Sequence, residues 1–349
     1  MKVGILTASR TNNNGTDLQA LAMLKIFKKF NSNVELINYK CCKLENSRKF
    51  FYPKTLRGFL QIPWSIYNHY VHEKFRKKYF IYSKKIFDSS SIDNNYYDVI
   101  IVGSDQIWNL DITGGDLGFF LPFNLKKQKK YSYAASLGKI DIKDWNNKYN
   151  LEKKLKNFTC ISVREKSAVE ALLQIGVLAR FDLDPLLMLT QKEWNIYKSD
   201  TKYNKKYIFI YVVDRAKEAI EYAINYAKQH NLDVIFCGNV IKPIYNVKVI
   251  RFCNLENWIT YVSNAELVIT NSYHCLSFCV LYHRKFVIYS LSKSIESNTR
   301  LNNLLKIINL QDMIDERIYN PDWIEVDEII NLLREKSYSY ISEILIENQ

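Results

Sequence analysis

Between Val268 and Val280 the sequence VITNSYHCLSFCV passes from an apolar strand-like run, through a polar turn, into a second apolar run at helical spacing. That is a strand end feeding a helix start, and a chain that repeats such junctions alternates β and α around parallel sheets. Thr270, Asn271 and Ser272 are residue types that cap the first amide groups of a helix. His274 then falls in the first turn, where backbone N–H groups and the helix dipole favour an anion. One reading is a titratable ring presented beside an anion site. The other is a hydrogen-bonded histidine at a buried helix end, and spacing alone does not separate the two.

The same junction recurs along the chain. KVGILT (2–7) is a short strand, a polar loop follows at 12–16, and an amphipathic helix is expected over about 17–30, with a second strand at 34–38. The loop after the first strand of such a unit faces the ligand crevice, so Asn14, Gly15 and Gln19 at the loop and helix start point toward a site. Gly15 is a lone glycine, and no GxGxxG dinucleotide fingerprint is present. Residues 40–95 read as an aromatic, basic elaboration of the first domain, with a helix at 64–79 and a polar hinge at 89–95. YDVIIV (97–102) is a buried strand ending in GSDQIWN, which places Ser104 and Asp105 at the functional edge of a sheet. Asp105 is open to three roles: base, hydroxyl orienter or cap.

Further strands are expected at 130–135 and 158–163, with a helix at 141–155 between them. Arg164 stands where the second of these strands meets a helix. It offers a planar fork for a carboxylate or phosphate, or an ion pair with its neighbour Glu165. A short strand at 180–184 closes at Asp184-Pro185. Periodicity fades over 191–206, which reads as a linker between a domain at 1–190 and a second at 207–349. The second domain again alternates strand and helix and ends in a long helix at about 326–346, long enough to pack back across the first.

A chain of 349 residues with 48% hydrophobic content exceeds what one core usually supports, in keeping with two domains. MKVGILTASR turns polar too soon for a signal peptide, and no apolar run reaches the roughly 18 residues of a membrane span, so a cytoplasmic protein is expected. Seven scattered cysteines without a CxxC pair read as free thiols of a reducing compartment. Cys275 and Cys279 lie one turn apart beside His274, but no second ligand pair completes a zinc site, and no metal is expected. The net charge of +13, with runs KFRKK (74–78) and KKQKK (126–130), implies anionic partners. No zinc-finger, RNP or helix-turn-helix pattern favours nucleic acid. Phosphorylated substrates and peripheral contact with an anionic membrane surface, such as the inner face of a membrane, are the partners this charge leaves open.

NNNGTDLQALAML after the first strand, GSDQIWN, YAASLG, SVREKSA, DPLL, VITNSYHCLSF and TRLNNLL, in this order, resemble the polysaccharide pyruvyl transferase family. The resemblance spans nearly the whole chain. It implies an α/β fold of two Rossmann-like domains with an interdomain cleft, similar to the GT-B glycosyltransferases. It also implies transfer of the pyruvyl group of phosphoenolpyruvate onto two hydroxyls of a sugar, as a cyclic ketal on a cell-surface polysaccharide or its lipid-linked precursor. No cofactor is implied beyond phosphoenolpyruvate itself as donor substrate. Residue by residue, Ser272, Tyr273 and His274 match the family's donor-site pattern and Arg164 matches the arginine of its SVRE motif. Many relatives carry arginine two before the histidine where this chain has Ser272, so one cationic donor contact is either missing or supplied by another residue such as Arg300. The expected roles are catalytic for His274 and Asp105, donor-binding for Arg164, Ser272, Tyr273 and Arg300, and acceptor-binding for Asn14, Gly15, Gln19 and Ser104. The competing readings are a GT-B glycosyltransferase using a nucleotide sugar and a non-catalytic polysaccharide-assembly protein.

Overall fold

Short apolar runs become parallel strands because each is followed by a segment that can cover one face of a sheet. In the computed structural model, which describes residues 1–31, 33–41, 43–44, 56–88, 96–121, 129–138, 141–238, 243–291, 298–312 and 314–348, these strands fall into two compact units. The first comprises Met1–Lys49, Arg76–Met188 and Asn331–Gln349, and the second Phe50–Phe75 and Leu189–Ile330.

In the first unit β1 (Val3–Leu6), β2 (Val34–Tyr39), β3 (Tyr82–Phe87), β4 (Val99–Val102) and β5 (Lys129–Ser132) pair in the order β3-β2-β1-β4-β5, every pair parallel. β1 (VGIL) and β4 (VIIV) are buried at every position, as strands covered on both faces must be. The helix Asn14–Lys28 begins where the Asn13 side chain accepts from Thr16 N, and Lys25 and Lys28 complement its carboxyl end. A small parallel pair, β6 (Ser162–Val163) with β7 (Arg180–Phe181), continues beyond β5 through the bridges Tyr131–Cys160 and Ala135–Val163. The last part of the helix Trp323–Ile346 lies in this unit, where Tyr340 Oη donates to Ser132 O at 2.9 Å and Ser337 Oγ to Asp182 Oδ1 at 2.9 Å.

In the second unit β8 (Tyr207–Tyr211), β9 (Asp233–Cys237), β10 (Lys248–Ile250), β11 (Leu267–Thr270), β12 (Lys285–Ile288) and β13 (Ile318–Tyr319) pair in the order β10-β9-β8-β11-β12-β13, parallel except for β12 with β13. A helix at a protein surface is apolar along one face only. The helix Tyr273–Tyr282 differs: all ten of its residues are buried, and its sequence is apolar nearly all round. Among the described residues no helix is long and apolar enough to cross a membrane.

Several expectations are corrected. The stretch 191–206 is not a bare linker: the longer segment of the second unit begins at Leu189, and the helix Gln191–Asn195, opened by a Thr190/Glu193 capping box, buries Trp194 among apolar neighbours. Residues 50–75, read as part of the first domain, belong to the second unit. There Trp64 Nε1 of the helix Leu56–Tyr79 donates to Arg251 O at 2.7 Å. The helix expected over 141–155 is two, Ile142–Tyr149 and Leu151–Leu155, broken at Asn150, which takes a left-handed φ of 54°. β3 (YSKKIF) escapes notice in the sequence because its lysines mask an edge strand, and Lys84 is exposed. The hinge expected at 89–95 and residues 126–128 of the second basic run lie outside the described residues.

In each large sheet the strand order reverses once, between β1 and β4 and between β8 and β11. The carboxyl ends of those two pairs are therefore the places where crossovers leave in opposite directions and open a crevice. Gly103 follows β4 at the first of them, with φ 140°, and a Cβ there would lie 2.0 Å from Tyr133 O. Gly103→Ala is expected to cost about 3 kcal/mol or more, through both strain and overlap. Urea unfolding of the purified variant measures this, and an unchanged midpoint would mean that the loop yields.

Candidate functional site

At the first reversal, the polar residues after β1 and β4 lock onto one another. Gln19 Nε2 donates to Thr7 Oγ1 at 2.9 Å, and Thr7 Oγ1 donates to Ser104 O at 3.2 Å. Ser104 Oγ donates to Ala134 O at 2.9 Å and is fully buried. Asp105 has a left-handed φ of 69°, uncommon for a residue other than glycine, and its side chain is held from two directions. Thr16 Oγ1 donates to its Oδ2 at 2.9 Å, and Gln106 N donates to its Oδ1 at 2.8 Å.

Arg164 ties this loop to the ends of β6 and β7. Its Nη1 meets Asp184 Oδ2 at 2.9 Å, its Nε meets Glu165 Oε1 at 3.0 Å, and its Nη2 lies 3.7 Å from Asp105 Oδ1. Ser136 Oγ adds a 2.7 Å hydrogen bond to Glu165 Oε1. One guanidinium thus faces three carboxyl groups. The side chains of Arg164, Glu165 and Asp184 are 0%, 4% and 1% exposed, whereas Asp105 is 13% exposed. Asp105 is therefore the member of the cluster that reaches solvent, held by Thr16 and the Gln106 amide and facing the Arg164 guanidinium. Of the two readings weighed for Arg164 from the sequence, a fork for a carboxylate or phosphate and an ion pair, these contacts display the ion pair, with carboxylates of the chain itself engaging its charge. Asn14 and Gly15 open the helix whose third residue is Thr16, the partner of Asp105.

At the second reversal, Asn271 spans the ends of β8 and β11. Its Oδ1 accepts from Val213 N at 2.7 Å and its Nδ2 donates to Asp214 Oδ1 at 2.7 Å. Thr270 Oγ1 donates to Tyr211 O at 2.7 Å and accepts from Ser272 N at 3.0 Å. Ser272 is the helix cap, its hydroxyl accepting from Cys275 N at 3.5 Å. His274 sits in the first turn, buried, its ring edge-on to Tyr273 at 5.5 Å. The Arg300 guanidinium lies 5.9 Å from the centre of the same Tyr273 ring. Tyr273 thus joins His274 and Arg300 in one neighbourhood.

A second polar group, which sequence reading missed, lies at the end of β12. Arg215 pairs with Asp315, which also accepts from Ser290 N at 2.7 Å. Burial works to raise the Asp315 carboxyl, but the hydrogen bonds from Arg215 and Ser290 outweigh it and hold the group below its ordinary value. No sequence signal announces this pairing, because a hundred positions separate the partners. Cys275 and Cys279 are buried, and burial pushes the Cys279 thiol well up, so it behaves as packing. Among the described residues no group of three or more His, Cys, Asp or Glu side chains could hold a metal ion.

Two α/β units with polar strand ends gathered where the strand order reverses define the GT-B architecture, and solved structures share it. A UDP-GlcNAc 2-epimerase from Methanocaldococcus jannaschii aligns with TM-score 0.55 at 13% identity, over 99% of this chain and 100% of that one. The UDP-GlcNAc 2-epimerase from Neisseria meningitidis, bound to UDP-GlcNAc, aligns with TM-score 0.52 at 12% identity, over 99% and 94%. At such identities the likeness is one of fold. No curated protein sequence matches the chain. The family is nonetheless defined: the polysaccharide pyruvyl transferase model matches residues 13–293, and the chain belongs to that family of transferases.

The buried cluster makes a stability prediction. Arg164→Ala removes the cation that faces Asp105, Glu165 and Asp184, and should cost about 3–5 kcal/mol in unfolding free energy. Denaturant melts read the loss directly. A cost below about 1 kcal/mol, the range of a surface pair, would contradict the buried arrangement.

Proposed function

We propose that the protein transfers the pyruvyl group of phosphoenolpyruvate to two hydroxyls of a sugar, forming a cyclic ketal and releasing phosphate. The observation that carries this reading is family membership over residues 13–293, joined to the placement of His274 at the strand reversal of the second unit. Phosphoenolpyruvate bears a carboxylate and a phosphate, which favours the side of the protein with a helix N-terminus, His274 and Arg300 over the carboxylate-rich cluster around Arg164. The first unit then takes the acceptor. Asp105, the solvent-reaching carboxylate of its cluster, is suited to accept a hydrogen bond from a sugar hydroxyl and to draw its proton.

In this mechanism His274, as imidazolium, delivers a proton to the methylene carbon, which becomes the methyl group. The neighbouring carbon gains cationic character, and the first acceptor hydroxyl attacks it and gives up its proton. Phosphate then leaves with the C–O bonding pair, and the second hydroxyl closes the ketal as its proton is lost. Two hydroxyl protons are released; one balances the proton now on carbon and the other is carried by the phosphate. Ser272 caps the helix that carries His274 and so holds the start of that helix on the donor side.

His274→Gln is expected to lower turnover by roughly 10²–10⁴-fold with phosphoenolpyruvate affinity little changed. In heavy water the wild-type product should carry deuterium in its pyruvyl methyl group, read by mass spectrometry. A fully protonated methyl group, or a variant that loses donor binding but keeps turnover, would remove His274 from the role of acid.

A further inference from the structure

The helix Leu56–Tyr79 presents one continuous exposed stripe. Over residues 62–79 the exposed positions are Pro63, Ile66, Tyr67, Tyr70, Lys74, Lys77 and Lys78, spaced by three or four, and none is acidic. The opposite face is buried through Val71, His72, Phe75 and Arg76. Arg76, the middle of the KFRKK run, turns inward and pairs with Asp17 at 2.9 Å. The run is therefore split: one cation serves the fold, and the three lysines face outward.

The amino-terminal half of the stripe is apolar and aromatic. Ile66, Tyr67 and Tyr70 are 49%, 36% and 58% exposed, and Phe252, after β10, joins them at 48% with its ring 4.7 Å from that of Tyr67. The Trp64–Arg251 hydrogen bond fixes the helix against the segment that carries Phe252. An exposed cluster of this kind costs solvation unless something covers it. Lengthwise the apolar residues and the lysines lie on the same face, about 23 Å from Pro63 to Lys78 at helical rise.

We propose that this face docks on an anionic phospholipid bilayer, with the helix lying in the plane of the interface. Tyrosine, phenylalanine and isoleucine fit the boundary between headgroups and acyl chains, while the lysine stems reach along it and place their ammonium groups among lipid phosphates. The net charge of +13 adds long-range attraction to such a surface. A soluble polyanion would use the lysines but would leave Ile66 without a purpose. The surface stands independently of the reaction proposed above, because its test reads binding alone.

The test is co-sedimentation of the full chain with vesicles of phosphatidylcholine, with and without phosphatidylglycerol, at low and high salt. Binding should require phosphatidylglycerol and weaken with salt. The triple variant K74Q/K77Q/K78Q should lose about a hundredfold in affinity, and Y67S/Y70S about tenfold. K192Q/K202Q/K228Q, which removes the same charge from exposed lysines outside this helix, should bind like wild type. Thermal melts check that every variant is folded. Absence of vesicle binding by the wild type would overturn the proposal. So would equal loss in the two lysine variants, or binding to a single-stranded polynucleotide with the same dependence on the patch while vesicles are ignored.

Discussion

A parallel strand is joined to its neighbour by a crossover that must pass over one face of the sheet, and to cover both faces the chain has to reverse its direction of travel once. Both sheets of this protein obey that constraint, with reversals between β1 and β4 and between β8 and β11. The strand interiors are spent on packing, so the polar residues that follow the strands are the ones left for chemistry. Thr7, Ser104 and Asp105 collect at one reversal, and Asn271, Ser272 and His274 at the other.

The two reversals differ in charge. Around Arg164 carboxyl groups outnumber the cation, so the first unit presents a fixed, solvent-reaching carboxylate suited to hydroxyls. In the second unit a histidine stands at a helix N-terminus with an arginine near its neighbour Tyr273, an arrangement suited to an anion. This division gives acceptor and donor separate chemical homes in the reaction proposed, and it does so with groups whose partners hold them in place before any ligand arrives.

Much of this was legible in the sequence where periodicity was strong. β1, the helix after it, β4, β11 and the helix at His274 announce themselves through apolar runs and capping residues. Short edge strands did not: β3 carries lysines, and β10 and β13 have only three and two residues. Helical periodicity reveals that residues 64–79 bury a face but not which core receives it, so the assignment of residues 50–75 to the second unit was unreadable. For the site, adjacency revealed Arg164 with Glu165, whereas Asp105 and Asp184 reach the same guanidinium from distant parts of the chain and only the fold brings them there.

The identity of the donor carries the most weight in this mechanism, and calorimetric titration of the full chain with phosphoenolpyruvate and, separately, with a panel of UDP-sugars tests it most directly. Saturable heat with phosphoenolpyruvate and none with the UDP-sugars is the predicted result. Saturable binding of a UDP-sugar with no response to phosphoenolpyruvate would contradict it and point instead to glycosyl transfer on the same fold.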